Sequence, residues 1–163
     1  MSVRVTDQTL PGNRSATGGG TGGIDGLRVL YADDDAAMQR AVVRLLQVSG
    51  ATVASALDGL EATERALAVT FDLIVMDLRM PRMDGFEAAR ALRASGCGVP
   101  LVAVSADETP EIKANAIEAG FDAVLPKPFG LNDLIHALQL VRERQPAKTS
   151  IVSAAEVRDA GPP

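Results

Sequence analysis

One feature constrains this chain more than any other: short apolar runs alternate with helix-like amphipathic stretches, and the alternation holds five times. The strand-like runs are "LRVLYA" (27–32), "ATVASA" (51–56), "FDLIVMD" (71–77), "VPLVAVSA" (99–106) and "DAVLPK" (122–127). Between and after them lie "DAAMQRAVVRLLQVSG", "GLEATERALAV", "DGFEAARALRASG", "TPEIKANAIEAG" and "GLNDLIHALQLVRER". Residues of one prospective buried face recur at helical spacing in these: Met38, Val42, Leu45 and Leu46 in the first, Leu60, Thr63, Ala66 and Leu67 in the second, and Leu134, Ile135, Leu138 and Val141 in the last. Asp35 is the expected N-cap of the first helix and Thr109 of the fourth, where Pro110 takes the first helical position. Gly50, Gly96 and Gly120 are the expected stops. "FDLIVMD" has a continuous apolar centre, as suits a strand covered on both faces. Short connections and right-handed crossovers then predict an α/β fold, a parallel sheet with helices on both faces.

The alternation occupies residues 24–145, which predicts one globular unit. Residues 1–23, "MSVRVTDQTLPGNRSATGGGTGG", are Gly-rich and aperiodic and read as a flexible N-terminal arm, and residues 146–163 as a flexible C-terminal tail. The glycines are no phosphate-binding loop, because no Gly-Lys-Ser/Thr follows them. A formal net charge of -5 argues against a broadly basic nucleic-acid or membrane surface. The one cysteine, Cys97, excludes an internal disulfide and reads as a small loop residue. No apolar run reaches the roughly 18 residues of a membrane span, and the N-terminus lacks the pattern of a signal peptide. A cytoplasmic location is expected.

In an open parallel sheet, ligands bind beyond the carboxyl ends of the strands, near the point where strand order reverses. The residues that end strands are therefore the informative ones. Strand one ends in Asp33 and Asp34, strand three in Asp77, strand four in Ser105 and strand five in Lys127. Three adjacent carboxylates repel one another, which calls for a cation, and a hard oxygen cluster of this kind suits Mg2+. A serine hydroxyl and a lysine ammonium are donors suited to a phosphoryl group. Asp35, also in the "ADDD" run, is better accounted for as a cap than as a ligand.

These residues resemble a known family, the receiver domain of two-component response regulators. The resemblance covers about residues 27–143. It rests on "ADDD" after strand one, "VMDLRMPRMDG" around Asp77, "AVSA" at Ser105 and "LPKPF" at Lys127, with Asp77 lying 43 positions beyond Asp34. It implies a flavodoxin-like, doubly wound, five-stranded parallel sheet of order 2-1-3-4-5 with five helices. It further implies that Asp77 is the phosphoacceptor, taking a phosphoryl group from a phosphohistidine of a histidine kinase or histidine phosphotransfer protein. Asp33, Asp34, Asp77 and the backbone carbonyl of Arg79 would hold Mg2+, Asp33 through water. Lys127 would pair with Asp77 and then with a phosphoryl oxygen, and Ser105 would bond another. A cis peptide between Lys127 and Pro128 is expected, with Met80, Pro81 and Gly85 shaping the turn after Asp77. The resemblance implies a phosphorylatable signalling module and not an enzyme that turns over.

The sequence departs from the family at Val124, where many receivers have Tyr or Phe. A valine cannot swing an aromatic ring, so the usual hydroxyl–aromatic coupling is not expected, and output by another movement or onward phosphotransfer is. Arg79 and Asp107 are expected to form an exposed ion pair beside the site, and His136 to be a surface helix residue. The overall expectation is a receiver with no output domain, a stand-alone regulator or the detached C-terminal receiver of a hybrid histidine kinase. Two other readings are a receiver-like interaction module that accepts no phosphoryl group, and an aspartyl-phosphate phosphohydrolase. The second is disfavoured by the lack of a cap domain to enclose a substrate. The sequence leaves the oligomeric state open.

Overall fold

The computed structural model describes residues 23–144, so the expected arm and tail lie outside the described residues, save for Gly23. Five strands and five helices alternate along the chain: β1 (Arg28–Ala32), α1 (Ala36–Val48), β2 (Thr52–Ala56), α2 (Gly59–Ala68), β3 (Leu73–Asp77), α3 (Gly85–Ala94), β4 (Leu101–Ser105), α4 (Pro110–Ala119), β5 (Ala123–Pro126) and α5 (Leu131–Arg144). All strand pairs are parallel and the order is β2-β1-β3-β4-β5. The doubly wound sheet read from the sequence is the one observed.

Strands β3 and β4 lie inside the sheet and every one of their residues is buried, which is why both read as unbroken apolar runs instead of alternating ones. Two cores flank the sheet. On one face Val29, Tyr31, Val75 and Val104 meet Val42 and Leu46 of α1 and Leu134 and Leu138 of α5. On the other, Leu30, Ile74, Met76 and Ala103 meet Ala62 of α2, Leu92 of α3 and Ala116 of α4.

Capping follows the sequence closely. Asp35 accepts from the N–H groups of Ala37 and Met38, and Thr109 from that of Ile112. Asp84 and Glu87 form a capping box at the start of α3. Pro100 precedes β4, and its carbonyl still accepts from the Ile74 N–H at 3.0 Å.

The buried face of α2 differs from the expected one. Leu60 and Leu67 are exposed, while Gly59 and Ala62 are buried and Ala66 packs against the core. The helix lies close to the loop before α3, with the Gly59 N–H donating to the Met83 carbonyl at 2.9 Å. A Cβ on Gly59 would meet that carbonyl oxygen at 2.3 Å. So close an approach selects small residues and turns the leucines outward. Leu45 of α1 is likewise exposed, and in α5 Ala137 joins Leu134, Leu138 and Val141 in the buried stripe while Ile135, expected there, is half-buried at its edge.

Candidate functional site at the carboxyl rim of the sheet

The turn after β3 is built on backbone geometry. Gly85 N–H donates to the Leu78 carbonyl at 3.0 Å, and a Cβ at Gly85 would lie 2.4 Å from the Asp77 carbonyl oxygen. Glycine is thus required for the chain to fold back against Asp77. Arg82 adopts φ 65° in the same turn, and its Nε reaches the buried carboxylate of Asp58 at 2.8 Å. Asp58 also caps α2 through the Glu61 N–H. Burial pushes the Asp58 carboxyl up, but the Glu61 N–H and Arg82 outweigh that and hold it below the ordinary carboxylate value.

Asp77, the last residue of β3, is buried, as is Asp33 just beyond β1, while Asp34 is exposed. One carboxylate oxygen from each of these three lies within 4.8 Å of the others. Lys127, which follows β5, crosses to them: Nζ donates to Asp77 Oδ2 at 2.8 Å and to Asp33 Oδ2 at 3.1 Å. The Lys127–Pro128 peptide is cis, as expected. Asp77 Oδ1 accepts from the Arg79 N–H at 3.1 Å. Ser105 ends β4, with its Oγ accepting from the Asp107 N–H at 3.1 Å and its carbonyl from the Lys127 N–H at 2.8 Å. The structure therefore gathers Asp33, Asp34, Asp77 and Lys127 into one cluster and sets Arg79 and Ser105 on the adjoining loops.

Burial is the largest influence on Asp77 and raises its pKa; the Lys127 and Arg79 hydrogen bonds lower it without cancelling the rise. Burial alone would depress the Lys127 ammonium, but its bonds to Asp77 and Asp33 reverse that, and its pKa is raised. Three carboxylates and one ammonium leave an excess of about two negative charges when all are ionised. A divalent cation has the charge and the hardness to answer that excess.

Several contacts were not read from the sequence. The Tyr31 hydroxyl donates to Asp33 Oδ2 at 2.9 Å. Gln39 Nε2 donates to the Asp33 carbonyl at 3.3 Å and the Ala56 carbonyl at 2.8 Å, and Asp35 N–H donates to Asp33 Oδ1 at 2.9 Å. Asp35 thus caps α1 and orients its neighbour. The alternation of β1 did hold a signal, since Tyr31 and Asp33, two apart, must share a sheet face. The Arg79–Asp107 pair forms at 2.6 Å with side chains 79% and 49% exposed, an ion pair worth at most about 1 kcal/mol. His136 is exposed on α5. Val124 is half-buried on β5, packed against the α2–α4 core.

A sheet of this order, with acidic residues and a lysine where strand order reverses, defines the receiver class of flavodoxin-like domains. The family described as response regulator receiver domain matches residues 29–139, and the chain belongs to it. That family serves two-component signalling, with phosphorylation and Mg2+ as general features. Among curated relatives, the response regulator MprA of Mycobacterium ulcerans is 36% identical over 118 residues, covering 72% of this chain and 51% of that protein. MprA of Mycobacterium tuberculosis (strain ATCC 25177 / H37Ra) is 36% identical over 121 residues, covering 74% and 53%. The chain spans about half the length of these relatives. Among solved structures, the Francisella response regulator 1452 receiver domain superposes with a TM-score of 0.67 at 30% identity, covering 72% of this chain and 98% of that one. The Vibrio cholerae chemotaxis protein CheY4 gives 0.66 at 34% identity, covering 71% and 98%. Among the described residues, no helix is long and apolar enough to cross a membrane.

Proposed function

We propose that this domain accepts a phosphoryl group on Asp77 from a phosphohistidine of a histidine kinase or histidine phosphotransfer protein, in the cytoplasm. The observation that carries this reading is the cluster itself: Asp77 held at 2.8 Å by Lys127, with Asp33 and Asp34 oxygens within 4.8 Å. Asp33, Asp34, Asp77 and the Arg79 carbonyl would hold Mg2+, which when bound supplies positive charge for the acidic cluster and the incoming phosphoryl oxygens.

The chain's own residues account for the rest. A carboxylate oxygen of Asp77 forms the new bond to phosphorus while the P–N bond breaks and its electron pair leaves with the imidazole. Lys127, already on Asp77, is placed to follow charge onto a phosphoryl oxygen, and Ser105 Oγ lies at the end of the neighbouring strand to donate to another. Catalysis of this type is positioning and charge neutralisation, with no further covalent chemistry. The product is an acyl phosphate on the domain itself, so one chain accepts one group and the domain is not a turnover enzyme.

Incubation with a small phosphodonor, with and without Mg2+, followed by intact-mass measurement tests this. The wild type is expected to gain one phosphoryl group only with Mg2+, and Asp77→Asn to gain none. An unchanged mass in the wild type, or an equal gain in Asp77→Asn, would overturn the assignment.

A further inference from the structure

Strand β1 carries a phenol where packing alone asks only for a ring. Tyr31 is wholly buried among Val29, Leu46, Val75, Val104, Leu134 and Leu138, and phenylalanine would fill nearly the same volume. A hydroxyl taken into such surroundings must find a partner, and here the partner is Asp33 Oδ2 at 2.9 Å. Asp33 is itself wholly buried, and its carboxylate has three protein donors: Asp35 N–H on Oδ1 at 2.9 Å, and Tyr31 Oη and Lys127 Nζ on Oδ2, the latter at 3.1 Å. Lys127 is shared with Asp77, which it approaches more closely, at 2.8 Å. Without the phenol, Asp33 Oδ2 would depend on that shared ammonium alone.

We propose that Tyr31 is a positioning residue of the acidic site. Its hydroxyl pins the Asp33 carboxylate from the core side, fixing its orientation toward a divalent cation and leaving Lys127 to Asp77. Partners one step behind the ligands of a metal set both their direction and their basicity. Tyr31 acts from beneath the sheet rim, on the α1/α5 side, with its hydroxyl on Asp33 Oδ2. The inference rests on the reading of the cluster as a Mg2+ site.

The test needs no phosphoryl transfer. Tyr31→Phe keeps the ring and removes the hydroxyl, and calorimetric titration with Mg2+ is expected to show affinity weakened about tenfold. In metal-free protein the Asp35 amide, which bonds the same carboxylate, is expected to shift in the 1H–15N spectrum. A purely structural hydroxyl would lower thermal stability while leaving Mg2+ affinity and the Asp35 amide unchanged, and that result would overturn the proposal. A second measurement uses the wild type. Tyr31 is the one tyrosine in the sequence and there is no tryptophan, so tyrosine emission reports this ring alone. Emission is expected to change on Mg2+ addition with the same midpoint as the calorimetric titration; an unresponsive emission in a protein that binds Mg2+ would contradict the proposal. A wild type that binds no Mg2+ would overturn the metal reading and this inference together, whereas equal binding by wild type and Tyr31→Phe overturns this inference alone.

Discussion

At the scale of single residues, Lys127 joins two carboxylates from different strands, and both bonds have consequences. Its ammonium already sits on Asp77, so the positive charge is in place before any phosphoryl group arrives. Removing one preorganised charged donor of this kind typically costs about 10²-fold in rate. Lys127→Ala is therefore expected to slow phosphorylation by a small phosphodonor about 10²-fold, measured from initial rates of mass gain. A rate equal to that of the wild type would show that the ammonium is not used. Asp77 supplies a second expectation. Its folded pKa is raised by burial, so ionisation costs stability: the contribution is intact below the ordinary value of 3.8 and is lost as pH rises through the folded value. In Mg2+-free buffer at neutral pH, Asp77→Asn is expected to have the higher urea midpoint, with the advantage gone below pH 3.8. Added Mg2+ is expected to narrow the difference by stabilising the wild type, by about 2.7 kcal/mol at a hundredfold excess over its dissociation constant. An Asp77→Asn protein less stable than wild type at neutral pH without metal would contradict this electrostatic account.

At the scale of elements, the turn between β3 and α3 decides whether Asp77 is presented correctly. Gly85 has no room for a methyl group, because the clash is with backbone, the Asp77 carbonyl oxygen, and cannot be relieved by a rotamer change. Gly85→Ala is expected to cost about 1–3 kcal/mol in urea unfolding and to impair phosphorylation together with stability. Gly98→Ala, with open space around its Cα and an ordinary backbone angle, is the control and is expected to stay within about 0.5 kcal/mol of wild type. Elements were legible where a local rule governs them. Asp35, Thr109 and the buried stripe of α5 follow from capping chemistry and helical period, which act within a few residues. The face of α2 was not legible, because it is set by contact with the Met83 carbonyl, 24 positions from Gly59, and a helix containing both alanines and leucines offers two stripes. Periodicity favours the larger residues, whereas backbone proximity selected the smaller ones.

At the scale of the whole molecule, the order of strands turns residues far apart in sequence into one site. Asp33 and Lys127 are 94 positions apart and Asp77 and Lys127 are 50 apart, yet both pairs are hydrogen-bonded. The membership of this cluster was readable because a parallel sheet places every strand's carboxyl end on one rim, so listing strand ends amounts to listing rim residues. The bonding within it was not. The double engagement of Lys127 depends on side-chain reach across the rim, which no spacing rule encodes; for Tyr31 and Asp33 the alternation of β1 indicates the shared face but not the hydrogen bond. The central claim is that this arrangement makes Asp77 the acceptor of a phosphoryl group. The most direct measurement traps the acyl phosphate by borohydride reduction, which converts the modified aspartate to homoserine, and locates the product by peptide mass spectrometry after Mg2+-dependent phosphorylation. Homoserine at position 77 alone is the predicted result; homoserine at position 33 or 34, or at no position, would contradict it.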